Sequence, residues 1–347
     1  MAQIQKEKLL ALKNVKWVIG NQEKIKLVDH VVNPSSKPLA HTPKIDRKPF
    51  IVPSKGIDPH HVRANLKIQD GCDFYCSFCI IPFARGPARS RVFEDILLEA
   101  NKLADNGHQE VVLTGVNIGT YDHNGRNFID IIKALEKIKG LKRIRISSIE
   151  PTTIPFELFD LMAESNKLCP YLHLPLQSGS DPILDAMSRK YSVKEYEHFL
   201  QKVLNRVPSI GLGTDVIVGF PGETDTLFDQ TYSLLSRLPF SYFHVFSYSE
   251  RSLARSKKLP SKVPDSVIHQ RSKSLRALSK EKRMVFHDNK VGSIDTVLFE
   301  QFKHDCWWGH TSDFAKVAVQ SNNDLTNQIK PVKLIAQGPE HIQGHLL

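Results

Sequence analysis

Six short apolar runs, each followed by an amphipathic stretch, are what most limits how this chain can fold. The runs lie at residues 65–68, 110–114, 143–147, 171–175, 212–218 and 242–246. Apolar residues at helical spacing fill the intervals at 92–105, 128–138, 154–163, 193–207 and 224–236. A parallel strand pair needs a crossover, and a helix provides it, so this alternation predicts parallel β/α units. The run around Val216, Ile217 and Val218 is as Val/Ile-rich as a strand covered on both faces requires. An incomplete β/α barrel and an open doubly wound sheet both satisfy the pattern. In either, ligands gather at the C-terminal ends of the strands.

The flanks read differently. Residues 1–32 suggest a short helix at 7–12 and a strand at 15–19. Between 33 and 59 stand Pro34, Pro38, Pro43, Pro49, Pro53 and Pro59, a density that blocks helix and central strand alike and predicts a linker or an extended edge. Residues 263–287 read as one long basic helix, and short alternating strands at 295–299, 315–319 and 331–335 predict a small antiparallel barrel. The expected segments are therefore 1–32, the linker 33–59, a core over 60–288 and a separate module over 289–347.

The formal net charge of +10 invites a polyanionic partner, but its placement matters more. From Arg251 to Lys290 there are 12 Lys and Arg against 3 Asp and Glu, whereas the remainder to the C-terminus holds 4 against 6. The basic stretch is either a nucleic-acid surface or a solvated helix face, and composition leaves both open. No run of eighteen apolar residues occurs, so no membrane-spanning helix is expected.

Of five cysteines, three fall within eight positions: Cys72, Cys76 and Cys79, spaced C-x3-C-x2-C directly after a predicted strand. An odd count clustered this way fits a ligand loop in a reducing cytoplasm better than a disulfide framework. Three soft thiolates on one loop suit an iron–sulfur cluster or zinc. Structural zinc wants a fourth ligand nearby, and no second C-x2-C or histidine pair follows Cys79. Cys169 stands alone in sequence, as a small core residue often does. A four-iron cube held by three thiolates keeps one iron open to a small molecule, the chemistry this loop favours.

With its flanks, the loop Ile68-Gln-Asp-Gly-Cys-Asp-Phe-Tyr-Cys-Ser-Phe-Cys-Ile-Ile-Pro-Phe-Ala-Arg-Gly86 resembles the methylthiotransferases of the radical S-adenosylmethionine (SAM) superfamily. Further matches follow in order: Leu113-Thr-Gly-Val-Asn117, His173-Leu-Pro-Leu-Gln-Ser-Gly-Ser-Asp181, Met187-Ser-Arg-Lys-Tyr191 and Asp215-Val-Ile-Val-Gly-Phe-Pro-Gly-Glu-Thr224. The resemblance implies a partial (β/α)6 TIM-like radical SAM barrel between a remnant of an N-terminal α/β domain and a C-terminal TRAM barrel. It implies that Cys72, Cys76 and Cys79 hold a [4Fe–4S] cluster that splits SAM to a 5′-deoxyadenosyl radical, with electrons from a flavodoxin or ferredoxin. It also implies that Thr114, Gly115 and Asn117 bind the methionine end. Glu150 and Gln177 meet ribose hydroxyls or the carboxylate, and the turn from Gly219 to Gly222 lies against adenine, with Glu223 capping the next helix. Asp215 has no assigned role.

Arg143-Ile-Arg-Ile-Ser-Ser-Ile-Glu-Pro151 and the trio Arg85, Arg89 and Arg91 resemble the branch that acts on N6-threonylcarbamoyladenosine beside the tRNA anticodon, with the isopentenyladenosine and ribosomal-protein branches, and a non-catalytic RNA-binding protein with a structural cluster, as the alternatives. The resemblance places the trio against tRNA at the entrance to the cysteine loop. For the C-terminal module it implies contacts from Lys303, Lys316, Lys330 and Lys333. Base stacking and a barrel core both explain Trp307 and Trp308.

Two departures stand out. Family members carry three more cysteines in an N-terminal domain, for a second cluster thought to hold the transferred sulfur, and no cysteine precedes Cys72 here. Met1-Ala-Gln and 13–24 resemble the tail of that domain. The expectation is a shortened member lacking the second cluster, able to cleave SAM without completing thiolation and exposing apolar residues such as Leu9, Leu12 and Trp17. Leu253-Ala254 also replaces the Gly-Thr pair usual after the arginine at 251.

Overall fold

The computed structural model describes residues 2–32, 39–53 and 62–347. Of the proline-rich linker expected at 33–59, residues 33–38 and 54–59 lie outside the described residues, including Pro34, Pro38 and Pro59.

All six predicted core strands form: β1 (Arg63–Lys67), β2 (Glu110–Thr114), β3 (Arg143–Ile146), β4 (Tyr171–His173), β5 (Gly211–Val218) and β6 (Tyr242–Ser247). Helices cross between them at α1 (Phe93–Asp105), α2 (Phe128–Glu136), α3 (Glu157–Glu164), α4 (Val193–Arg206) and α5 (Asp225–Arg237). Strands β1–β2–β3 and β4–β5–β6 are two parallel sheets. Hydrogen bonds from Ile144 N to Lys167 O at 2.8 Å and from Ile149 N to His173 O at 3.1 Å join them into one arc. Among the described residues β1 and β6 do not pair with each other, so the arc is a partial barrel, open along one side.

Burial follows the pleat. In β1 Ala64 and Leu66 are buried while Asn65 is exposed; in β6 Phe243 and Val245 are buried while His244 and Phe246 are exposed. The outward faces join the helices in one continuous core, from Leu66, Leu113 and Ile144 to Val216 and Phe243. The concave face carries polar side chains such as Asn65, Arg145, His173 and Asp215.

The long helix α6 (Asp265–Asp288) covers β6, the strand whose edge stays unpaired. Ser279 Oγ accepts from Phe243 N at 2.9 Å and donates to Phe243 O at 2.7 Å. That satisfies backbone groups an open edge otherwise leaves to water or another chain. Much of the basic stretch of the sequence is thus spent on this helix, where Arg271 is buried against Glu223 and Asp225. Among the described residues no helix is long and apolar enough to cross a membrane.

The chain ends in a closed five-stranded barrel of β7 (Ile294–Lys303), β8 (Cys306–Thr311), β9 (Lys316–Val319), β10 (Ile329–Gln337) and β11 (Ile342–Leu346). Periodicity revealed three of these strands and missed β8 and β11. The pairings are antiparallel except β9 with β11, which is parallel. Trp307 belongs to this barrel's core, whereas Trp308 lies outside it under the Lys316 ammonium.

This module docks at the N-terminal ends of the core strands. Arg143 donates to Thr296 O at 2.6 Å and His310 O at 3.0 Å, Arg145 to Ser312 O at 2.8 Å, and Arg63 to Glu300 at 3.0 Å. Phe314 packs on Tyr171, ring centroids 4.7 Å apart. Before the core, a helix (Lys6–Leu10) precedes a strand (Trp17–Ile19) that pairs in parallel with Leu39–His41. Leu12 is exposed as expected, while Leu9 and Trp17 are half-buried.

Candidate active site

The three-cysteine loop follows β1 at the C-terminal end of the arc, opposite the docked barrel. Several segments hold it. Cys72 N donates to Gly86 O at 3.2 Å and Ser77 Oγ to Ala186 O at 2.7 Å. Ser256 N donates to Ser77 O at 2.9 Å and Arg255 to Tyr75 O at 2.6 Å. The loop in which Leu253-Ala254 departs from the family pattern therefore braces the cysteines directly.

Cys72, Cys76 and Cys79 line one cavity of about 210 Å³ with Asn117, Glu150, Gln177 and Arg189. Each sulfur receives a hydrogen bond: Phe74 N to Cys72 Sγ at 3.5 Å, Ile81 N to Cys79 Sγ at 3.4 Å and Arg189 Nη1 to Cys76 Sγ at 3.4 Å. Burial pushes the Cys72 thiol up to about 11 and raises Cys79 as well. As bare thiols these groups are poor nucleophiles, and a metal that takes their protons makes them ligands. Three sulfurs, N–H donors aimed at them and adjoining space for a small polar molecule fit a cluster with one open iron. Cys169 is a buried residue at the opposite end of the strands, and Cys306 sits in the C-terminal barrel.

The remaining predicted residues divide. Glu150, at the end of β3, is gripped by Arg189 through oxygens at 2.7 and 2.8 Å. Burial raises its carboxyl and the guanidinium opposes that. Asn117 accepts from Thr153 Oγ1 at 3.2 Å. Gln177 adopts a left-handed backbone (φ 70°), a costly conformation for a residue with a side chain, at the rim of the cavity. Thr114 and Gly115 line an adjacent cavity with Lys67, Asp70 and Arg85. Gly115 is required by packing, since a Cβ there would lie 2.6 Å from Ile118 Cγ2.

Gly219 and Gly222 form the left-handed turn after β5, but Gly219 faces α6, where a Cβ would lie 2.3 Å from Ile268. Neither lines the cysteine cavity. Glu223 does not cap the next helix; Thr224 does, accepting from Leu227 N at 3.3 Å. Glu223 instead accepts from Gly219 N at 2.9 Å and pairs with Arg271.

The arginine trio requires correction. Arg91 is fully buried, paired with Asp95 at 2.5 Å and with Glu99. Arg89 is buried too, over the Phe50 ring and 3.4 Å from Asp70. Both guanidinium groups are enclosed by protein and present no face to a phosphate; the donors of Arg91 are engaged by Asp95, Glu99 and the Lys67 carbonyl, while Arg89 is shut in although its Nε has no partner. Only Arg85 is half-exposed, and it too reaches Asp70, at 3.0 Å.

Three residues escaped the sequence reading. Gln69, wholly buried, accepts from Val116 N at 2.9 Å and Asn117 N at 2.8 Å and donates to Gly71 O at 2.9 Å. It thereby ties the cysteine loop to the neighbouring strand end. Asp70 collects Asn21, Lys67, Arg85 and Arg89. Burial alone would raise its carboxyl, but these partners hold it below the ordinary carboxylate range. Arg189 lay inside a matched motif, the one signal that pointed to it.

The family model for the radical SAM superfamily matches residues 66–235. The threonylcarbamoyladenosine tRNA methylthiotransferase MtaB of Bacillus subtilis is 33% identical over 100% of this chain and 79% of its own length. Its counterpart from Aquifex aeolicus is 36% identical, covering 86% of this chain and 74% of its own length. A tRNA-2-methylthio-N(6)-dimethylallyladenosine synthase from Lawsonia intracellularis is 37% identical over 79% and 63% respectively. A three-thiol cavity at the strand ends of a partial barrel is what such similarity leads one to expect, and the chain belongs to the radical SAM family of tRNA methylthiotransferases.

Proposed function

We propose that the cavity holds one [4Fe–4S] cluster on Cys72, Cys76 and Cys79 with SAM beside it. In this reading the chain serves methylthiolation at C2 of N6-threonylcarbamoyladenosine next to the tRNA anticodon: its deoxyadenosyl radical takes the C2 hydrogen, while the sulfur comes from a separate carrier and the methyl from a second SAM. The observation that carries the reading is the convergence of three hydrogen-bonded thiols with Asn117, Glu150, Gln177 and Arg189 around one small cavity. The threonylcarbamoyl substrate is favoured by two relatives of that name, which align with 100% and 86% of the chain.

When bound, the cluster supplies the electron that cleaves SAM. The protein's part is to bind, orient and exclude water. Glu150, oriented by Arg189, offers carboxylate oxygens to ribose hydroxyls, and Asn117 and Gln177 offer amides to the methionine end. Thr114 and Gly115 serve this site through the backbone of their strand end, and Gly219 and Gly222 through the turn that Glu223 braces. Arg85 is the member of the trio that contacts tRNA. Residues 60–288 act as the catalytic domain and 289–347 as a TRAM-like tRNA-binding domain. A flavodoxin or ferredoxin is the electron donor. The sequence similarity to the dimethylallyladenosine enzyme keeps that nucleoside as the second reading.

Anaerobic reconstitution, iron counting and a 5′-deoxyadenosine assay test the cavity: about four irons per chain and SAM-dependent deoxyadenosine are expected. A single zinc with no iron would overturn the reading. Mass spectrometry of nucleosides from tRNA of a deletion strain tests the substrate. Loss of the methylthio group from threonylcarbamoyladenosine is expected, and loss only from dimethylallyladenosine would assign the second reading.

A further inference from the structure

The concave face of the arc carries a second cluster of ligand-type side chains, separate from the cysteines. His173, Asp215 and His244 come from β4, β5 and β6, three adjacent parallel strands. Register pairs Asp215 with His244 and His173 with Gly213, two residues before Asp215, so the three side chains share the inward face. Asp215 Oδ1 lies 2.8 Å from His173 Nε2 and 3.2 Å from His244 Nδ1. The three donor atoms all fall within 4.8 Å of one another.

From this geometry we infer a divalent-metal site at His173, Asp215 and His244, suited to an ion of the zinc or iron(II) class. Two imidazoles and one carboxylate are a ligand set such ions select, whereas calcium and magnesium prefer all-oxygen sites. Around a tetrahedral ion with bonds of about 2.0–2.1 Å, donors sit about 3.3 Å apart, so the two distances from Asp215 open by only a few tenths of an ångström to admit one, with the two imidazole nitrogens already within 4.8 Å of each other.

The chain also makes room for the cluster. A Cβ at Gly213 would stand 2.7 Å from His173 Nδ1 and 2.9 Å from the Tyr171 hydroxyl, which is 2.5 Å from that of Tyr242. Any larger residue at 213 would displace the first ligand. Burial grades across the site: the side chains of His173, Asp215 and His244 are 9%, 22% and 54% exposed. Two ligands are thus held in the wall while the third faces the open side of the barrel, which leaves the remaining coordination positions to water or substrate.

The test is zinc retention by the full-length, cluster-reconstituted protein after dialysis against micromolar zinc, read by elemental analysis. One zinc beyond the iron content is expected, with affinity falling at least about tenfold in H244A. His244 is half-exposed, so the variant should fold, and D215N, which keeps the side-chain volume, provides a second arm. The same single zinc should appear in a chain with Cys72, Cys76 and Cys79 all replaced by alanine. No retained zinc, zinc indifferent to both H244A and D215N, or zinc lost with the cysteines would each overturn the assignment.

Discussion

At the level of single residues, charge near the cysteine loop performs two different jobs that look alike in sequence. Arg91 is enclosed with Asp95 and Glu99, so Arg91→Met strands two carboxylates in a poorly solvated site. Such a break costs about 3–5 kcal/mol, visible as a lower urea midpoint, while the tRNA affinity of the folded fraction is unchanged. Arg85→Met should cost about 1 kcal/mol or less, since Lys67 and Arg89 still face Asp70, and should weaken tRNA binding in a filter assay. The C-x3-C-x2-C spacing was legible from sequence because it is local. The fate of the arginines was not, because their partners come from a helix turn away or from across the sheet.

His287 carries a pH dependence at this same scale. Burial, helped by Arg283 and His341, lowers its imidazole to about 4. The unfolded chain takes up that proton near the ordinary histidine value of about 6.5, so the buried neutral ring favours folding fully above that pH and loses its contribution as pH falls toward 4. The shift corresponds to about 3 kcal/mol. Comparing urea unfolding of the wild type with His287→Gln, the difference in stability should change by about that amount between pH 7 and pH 4. A pH-independent difference would refute it.

At the level of elements, the turn after β5 distinguishes two reasons for a glycine. Gly219 and Gly222 both adopt positive φ, but only Gly219 packs against a neighbour, Ile268 on α6. Gly222→Ala should cost about 1–2 kcal/mol from backbone strain. Gly219→Ala adds overpacking of about 1–3 kcal/mol, and only that variant should be partly rescued by Ile268→Ala in thermal melts. The glycines were visible in the sequence as a strand-to-helix turn. That one of them serves helix α6 depends on a contact across 49 residues and is invisible to local pattern.

At the level of the whole molecule, the C-terminal barrel and the cysteine loop occupy opposite ends of the strand arc. Arg143 and Arg145, which resemble a branch marker in sequence, hold that barrel in place. Phe314 reaches from it onto Tyr171 and stacks on His310. Phe314→Ala should loosen this junction by up to about 3 kcal/mol. Limited proteolysis should then release the C-terminal barrel sooner, while deoxyadenosine formation per folded molecule holds steady. Equal proteolysis of both proteins would show that the arginine contacts suffice.

The order of β/α units, the long basic helix after the sixth strand and the three-thiol loop were determined by the sequence alone, because each depends on periodicity or spacing among near neighbours. Tertiary structure decided which arginines are buried, which glycine meets a helix, and which end of the arc the C-terminal barrel closes. It also brought His173, Asp215 and His244 together. Those outcomes depend on segments tens to hundreds of residues apart sharing one packed space, where burial and pairing are set by the partner rather than by the residue itself.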